Sequence, residues 1–383
     1  MVYQSDTIVL EQLLSLCYSD AMVVCYTGGG TLGHVFPALA VHEELALLPD
    51  YRCFWIGREE ASEKEAVGRY GIPFFAIRWG KLRRYWSFRN FLDIGNICIA
   101  FFQALRILRD QRPEVLFSKG GFVSVPPVLA AAVLRIPVVS HESDATPGLA
   151  TRINARFSTR ICVPFPEGFT SLKKHELVVT GNPVRRSLVL ASKQNGLQRP
   201  AFLEPAEPLI LVLGGSSGSA QINQLVRDSL DSLTKMGYVY HQCGAKGIQH
   251  IVHDHYQEVP FIDEALPLLL KHATVVVSRA GANTLAEIAL FGCPSLLIPL
   301  GGASSRGDQI DNARLFEQKG AATVLYPDTL DVKQFLEGVS SLVTDEKLQS
   351  RLRDNLGKLA HKTSAQHIAT VLKTVKESTC SGV

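Results

Sequence analysis

Two short apolar runs, Met22–Tyr26 and Leu209–Leu213, each open into a glycine-rich loop that leads straight into a helical pattern. The first loop reads Thr27-Gly-Gly-Gly-Thr-Leu-Gly-His34 and the second Gly214-Gly-Ser-Ser-Gly218. A strand that breaks into glycine before a helix is the opening of a Rossmann-like half. The missing side chains let backbone N–H groups and the helix N-terminus approach a phosphate. The same opening twice in one chain predicts two such halves in series.

The intervening pattern agrees. Behind the first loop come a helical stretch at about Pro37–Leu48, a strand at Tyr51–Ile56 and an acidic helical segment around Glu59–Tyr70. A strand at Val115–Phe117 then precedes Gly120, Gly121 and an Ala/Val/Leu helix to Leu134, with another strand at Pro137–Ser140. In the second half strands are expected at Val239–Gln242, Thr274–Ser278 and Ser295–Pro299, and the chain beyond Asp331 reads as helical almost to its end. The stretch Ser187–Pro208 has no clear period and holds Pro200, Pro205 and Pro208, which predicts a linker. Alternating strands and helices imply parallel sheets. The expected fold class is therefore α/β, two Rossmann-like domains with a cleft between them, ligands lying beyond the strand carboxyl ends. The expected division is an extension at 1–21, a first domain at 22–186 and a second at 187–358. The terminal helix, about 359–380, is expected to pack back on the first.

The 383 residues suit two domains, and 46% hydrophobic content supplies both cores. A formal net charge of +3 is too small an excess to predict a nucleic-acid partner. The eight cysteines are scattered without a C-x-x-C pair, as expected of reduced thiols rather than a disulfide framework or a metal knuckle. The stretch before Ala21 carries Asp6 and Glu11 and no basic leader, and reads as an extension rather than a signal peptide. No uninterrupted apolar run is long enough to span a bilayer. The segment Arg78–Arg89 instead interleaves five basic residues with four aromatics, with Trp79, Lys81, Arg83, Arg84 and Trp86 at its centre. That mixture suits an anionic membrane interface approached from the side.

Each motif has a bland reading beside the chemical one. Gly28-x-Gly30-x-x-Gly33 fits a dinucleotide fingerprint, a phosphate cradle or a plain tight turn. His34, where loop becomes helix, is a candidate general base or a solvated cap. In the second loop Ser216 and Ser217 can donate to a departing diphosphate. The run Ser278–Glu287 puts a polar loop before an apolar helix, so that Glu287 either complements the helix dipole or accepts both hydroxyls of a ribose. Gly301–Asn312 is a polar loop either facing a ligand or simply solvated. His250, His253 and His255 lie away from every glycine loop and read as solvated rather than metal-bound. No Asp-x-Asp is present, so no protein-held metal or other cofactor is expected.

Eight segments in order carry a resemblance: GGGTLGHVFPALA at Gly28–Ala40, GGFVSV at Gly120–Val125, HESDATPGL at His141–Leu149, GNPVR at Gly181–Arg185, LGGSSG at Leu213–Gly218, FID at Phe261–Asp263, SRAGANTLAEI at Ser278–Ile288 and DQIDNA at Asp308–Ala313. From about Val23 to Leu325 the chain resembles the MurG family of peptidoglycan glycosyltransferases. The resemblance implies the GT-B fold and inverting transfer of N-acetylglucosamine from UDP-N-acetylglucosamine to the 4-hydroxyl of undecaprenyl-diphospho-N-acetylmuramoyl-pentapeptide. It implies work at the cytoplasmic face of the membrane, with other cell-wall enzymes as further partners. Residue by residue, it places Thr31, Gly33 and His34 in the acceptor-side loop, Thr31 and Gly33 also counting among donor contacts, and makes His34 the base. Gly120 and Gly121 join the acceptor side. Arg185 and Ser216 would meet the donor, the backbone at Phe261 and Ile262 the uracil, and Ala282, Asn283 and Thr284 the diphosphate. Glu287 would grip the ribose, and Gln309 the sugar hydroxyls. Asp144 and Asp308 would join the donor set. Three positions depart from the family's habit: Leu32 replaces a small residue, and Asp144 and Asp308 replace amides. The same architecture also leaves open a diacylglycerol glycosyltransferase or a UDP-N-acetylglucosamine 2-epimerase. A nicotinamide-dependent oxidoreductase would leave the second loop and Glu287 unexplained, and a sensor would leave the acceptor motifs without a use.

Overall fold

The computed structural model describes residues 22–29, 32–59, 61–78, 89–172, 175–215, 217–301, 307–327 and 330–380. Among the described residues, thirteen strands lie in two sheets. The first sheet holds β1 (Met22–Thr27), β2 (Tyr51–Arg58), β3 (Phe74–Ile77), β4 (Val115–Ser118), β5 (Val138–His141), β6 (Arg160–Val163) and β7 (Leu177–Val179), in the order β3-β2-β1-β4-β5-β6-β7. The second holds β8 (Leu209–Leu213), β9 (Tyr238–Gln242), β10 (Tyr256–Val259), β11 (Val275–Ser278), β12 (Ser295–Leu297) and β13 (Thr323–Val324), in the order β10-β9-β8-β11-β12-β13. The short apolar sequences of the central strands follow from burial on both faces, as parallel sheets require. All five residues of β8 are buried, as are all four of β4 and of β11.

The chain divides into two compact units. The first takes the residues up to His141, then Ile153–Ile161 and Ile368–Val383; the second takes Glu142–Arg152 and Cys162–His367. In the first unit β1 runs parallel to both β2 and β4, with Val24 opposite Cys53 and Val115. Tyr26, Phe54, Trp55 and Phe117 are fully buried there, and the Tyr26 and Trp55 rings stack with centroids 6.0 Å apart. The helix Arg89–Gln111 buries Ala100, Ala104 and Leu108, a stripe at four-residue spacing, against a core that includes Cys25, Phe54 and Leu116. The terminal helix Ser364–Cys380 contributes Lys376 to this unit, its Nζ 3.4 Å from Glu114 Oε2, which also accepts the Val23 N–H at 3.1 Å.

In the second unit β8 pairs with β9 on one side and β11 on the other, again in parallel. The helix Ala282–Phe291 ends at Gly292, whose left-handed φ of 66° lets its N–H turn back onto the last carbonyls. Ser219, Asp331 and Asp345 cap three further helices with side-chain oxygens. Two boundaries differ from the expectation. The first helix spans Leu32–Leu45, so the glycine loop enters it directly and Pro37 lies inside, where it withholds one helical hydrogen bond. The predicted linker begins as a helix, Arg186–Lys193, pinned by fully buried Leu188. Eight residues are too few to display a helical period.

Gly218 and Gly196 have nearly equal φ, 77° and 78°, but different surroundings. A Cβ on Gly218 would lie 2.0 Å from the Cys243 carbonyl oxygen, while one on Gly196 would meet nothing within 4 Å. Gly196→Ala should therefore cost only the left-handed penalty, about 1–2 kcal/mol. Gly218→Ala should cost more than about 3 kcal/mol, because backbone must also move. Urea denaturation of the two variants checks the contrast.

Candidate active site

Each sheet reverses its strand order at one place, which is where a parallel α/β sheet opens a crevice. In the first unit the reversal lies between β1 and β4, and the loops leaving those strands are Gly28–Gly33 and Gly120–Gly121. They pack backbone on backbone. A Cβ on Gly28 would sit 2.9 Å from the Lys119 Cβ, and one on Gly121, at φ 77°, would sit 2.5 Å from the Gly29 carbonyl oxygen. Gly120 shares the left-handed conformation at φ 82°. The His34 ring borders this junction, its Cδ2 3.4 Å from where a Gly121 side chain would begin, and the residue is half-buried in the first turn of its helix beside exposed Gly33. The two glycine segments named from sequence and the candidate base thus meet at one spot. Thr31 lies outside the described residues, as do Trp79, Lys81, Arg83, Arg84 and Trp86.

Two charged residues behind this loop escape sequence reasoning. Glu63 is 3% exposed, accepts the Trp55 indole N–H at 3.0 Å, and has its carboxylate 2.6 Å from where a Gly29 Cβ would be. Lys119 is 1% exposed and donates its backbone N–H to the Thr27 carbonyl at 2.8 Å. An acidic helix start and a lysine between a strand and two glycines both read as solvated. Only the glycines facing them could have signalled otherwise.

In the second unit the reversal lies between β8 and β11. The loop after β8 has Gly215 at φ 85° and Gly218 at φ 77°, while Ser216 is outside the described residues. After β11, Gly281 precedes the helix Ala282–Phe291 without any side-chain cap. The first-turn N–H groups of Ala282, Asn283 and Thr284 therefore form a helix N-terminus suited to an anion. Glu287 follows Asn283 and Thr284 by four and three residues, which stacks it on their face. Desolvation in that apolar setting pushes its carboxyl up to about 7, against the pull of the nearby Arg185 guanidinium. Arg185 in turn lies 3.1 Å from Asp263 Oδ1, next to the Phe261–Ile262 pair. That pair is split: Phe261 is 43% exposed and Ile262 3%. Arg185, Ile262, Asn283, Thr284 and Glu287, scattered over a hundred residues, are thus brought together by the ends of this sheet.

A third group shapes the segment Glu142–Gly148. The Glu142 carboxylate accepts the N–H groups of Ser143 at 2.9 Å, Asp144 at 3.3 Å and Gly148 at 3.1 Å, together with the Thr151 hydroxyl. Asn312, 3% exposed, accepts the Ala145 N–H at 2.7 Å and donates its amide to Asp144 Oδ1 at 3.0 Å and to the Ala280 carbonyl at 3.1 Å. Glu142 and Asn312 are scaffold residues that the sequence offers only as parts of longer motifs. Gln309 Oε1 accepts the Leu300 N–H at 3.0 Å, tying its helix to the end of the preceding segment. Asp308 opens that helix after Gly307, and with Asp311 supplies two carboxylates to its first turn, a placement the helix dipole alone accounts for. Of the three polar-segment histidines, His255 Nδ1 is 2.7 Å from Glu207 and its N–H meets His253 Nδ1 at 3.1 Å. Among the described residues no helix is long and apolar enough to cross a membrane.

Comparison with known proteins agrees with this architecture. The glycosyltransferase family 28 N-terminal domain matches residues 24–163, and the family's C-terminal domain matches 209–369. A Clostridium botulinum protein, named UDP-N-acetylglucosamine–N-acetylmuramyl-(pentapeptide) pyrophosphoryl-undecaprenol N-acetylglucosamine transferase, is 39% identical over 91% of this chain and 98% of its own. A Treponema pallidum protein of the same name is 45% identical over 80% of this chain and 83% of its own. The crystal structure of Acinetobacter baumannii MurG superposes with a TM-score of 0.71 at 24% identity, covering 92% of this chain and 99% of that one. A putative UDP-N-acetylglucosamine 2-epimerase from Listeria monocytogenes shares the fold at a TM-score of 0.67 and 11% identity, over 92% and 96% of the two chains. With both domains matched and full-length relatives of one name at 39–45% identity, the chain belongs to the MurG family, within glycosyltransferase family 28.

Proposed function

We propose that this chain transfers N-acetylglucosamine from UDP-N-acetylglucosamine to the 4-hydroxyl of undecaprenyl-diphospho-N-acetylmuramoyl-pentapeptide, with inversion. The observation that carries the donor side is the uncapped start of the helix Ala282–Phe291, with Glu287 on the face of Asn283 and Thr284 and Arg185 nearby. An anionic diphosphate suits the N–H groups at that helix start. A carboxylate one turn further along suits the two hydroxyls of a ribose. Ser216, Gln309, Asp144 and Asp308 complete the donor set on this reading, with Phe261 and Ile262 at the base.

Transfer needs a proton removed from the acceptor hydroxyl as the new bond forms, and negative charge on UDP compensated as the old bond breaks. His34 supplies the first, beside the junction of the two glycine segments. Arg185, the loop at Ser216 and the helix N-terminus supply the second, and no protein-held metal is needed in this scheme. Trp79, Lys81, Arg83, Arg84 and Trp86 would hold the protein against anionic lipid at the cytoplasmic face, where the lipid-linked acceptor resides. Other cell-wall enzymes are expected partners there.

Three measurements test the reading. Label from radioactive UDP-N-acetylglucosamine should reach a short-chain lipid acceptor only when that acceptor is present; equal consumption without it would indicate epimerisation or hydrolysis. His34→Ala should lower kcat by about 10²–10³-fold with donor affinity nearly intact, and a collapse of donor binding with normal turnover would remove His34 as the base. The third is a pH profile. Donor binding by ionised Glu287 must release a proton below about 7, so affinity for UDP-N-acetylglucosamine should rise with pH up to about 7 and level off above it. Glu287→Gln should bind weakly with no such rise, as calorimetry at several pH values would show.

A further inference from the structure

Gln242, the last residue of β9, commits its backbone carbonyl and both ends of its side-chain amide to the second unit's loops. Its backbone carbonyl accepts the Gly214 N–H at 3.2 Å. Its side-chain Nε2 donates to the Gly215 carbonyl at 2.9 Å, and its Oε1 accepts the Ile262 N–H at 2.8 Å. The residue is 6% exposed, so these bonds are shielded from water. One amide therefore ties the glycine loop after β8 to the Phe261–Ile262 segment, which follows a different strand. The residues after Gln242 form a floor for the same loop. A Cβ on Gly218 would meet the Cys243 carbonyl oxygen, and one on Gly244 would meet the Ser217 carbonyl oxygen at 2.4 Å.

We propose that Gln242 is a positioning residue that fixes the register between the diphosphate loop and the base-reading segment, and so lets the site discriminate among pyrimidine diphosphates. This rests on the donor reading above, in which the loop after β8 meets the charge on the diphosphate together with the helix start at Ala282–Thr284, and Phe261–Ile262 meet the uracil. A backbone segment can tell uracil from cytosine only if the base edge arrives at a fixed place. The diphosphate anchors the nucleotide at one end, so the distance from loop to segment decides where that edge falls. A side chain bonded to both sets this distance. It touches no reacting atom, so its effect belongs in donor affinity and selectivity rather than in the chemical step.

The test uses the full chain and measures UDP, CDP and uridine binding by calorimetry, with donor KM and kcat alongside. Gln242→Leu removes both side-chain bonds at similar volume. It should raise the donor KM about tenfold with kcat falling far less, and shrink the preference for UDP over CDP by a similar factor. Gln242→Glu keeps an acceptor for the Ile262 N–H but turns a carboxylate toward the Gly215 carbonyl. It should weaken UDP binding, shrink the preference for UDP over CDP as the Leu variant does, and leave uridine binding unchanged. Should the Leu variant fail to fold, the Glu variant decides alone, because equal weakening of uridine and UDP would overturn the proposal. A UDP preference that survives in Gln242→Leu overturns the proposed register while sparing the donor reading. A wild-type protein that binds CDP as well as UDP removes the donor reading and the proposal together.

Discussion

Glycine backbone laid against backbone where the central strands end, after β1 and β4 in the first sheet and after β8 and β9 in the second, is the contact on which the rest of the protein depends. In the first unit the approach of Gly121 to the Gly29 carbonyl brings two loops to the same spot, and His34 borders it. In the second unit Gly218 approaches the Cys243 carbonyl in the same way. Any Cβ at either junction would push the loops apart. The strands beneath are ordinary buried β, but where they end backbone lies too close to backbone for any side chain, and only glycine permits that. Helix dipoles and charged side chains then act on a geometry already set.

The electrostatics of the second unit work against stability. A carboxyl raised to about 7 is better tolerated protonated in the free protein, so its burial favours folding at low pH and loses that advantage as pH rises through about 7. Arg185 offsets the penalty only in part, since its guanidinium is shared with Asp263. Hydroxyl donors from a ligand would stabilise the ionised form and lower its pKa. A site can thus be less comfortable empty than filled, and the empty site's unmet demand favours binding.

Much of the architecture was legible because buried parallel strands announce themselves. Leu209–Leu213 and its following glycines admit no other reading, and the strand at Val275–Ser278 begins one residue from its expected start. Other elements were not legible, for physical reasons. The helix Arg89–Gln111 shows apolar residues all round between Ile97 and Phe102, with Phe102 itself 65% exposed, so its buried stripe of Ala100, Ala104 and Leu108 is hidden in the pattern. Strands as short as Thr323–Val324 carry too few residues for any period. For the candidate site, the glycines of the strand-end loops and Glu287 stood out by type and place. Glu63, Glu142 and Gln242 did not, since a polar residue bonded inside the fold looks in sequence like any solvated one.

Asp144 shows how such a scaffold residue constrains its neighbour. Asn312 Oδ1 is committed to the Ala145 N–H, so its Nδ2 must face Asp144 Oδ1 and the Ala280 carbonyl. Position 144 therefore needs an acceptor on that side. Asparagine could provide one, but its amide nitrogen would then face elsewhere as a donor. Aspartate provides the same acceptor, so either residue satisfies the Asn312 network. What changes is the chemistry presented on the other side, from a group that gives a hydrogen bond to one that only accepts. On the donor reading, that exchange favours a sugar hydroxyl over a sugar carbonyl as the partner at this position.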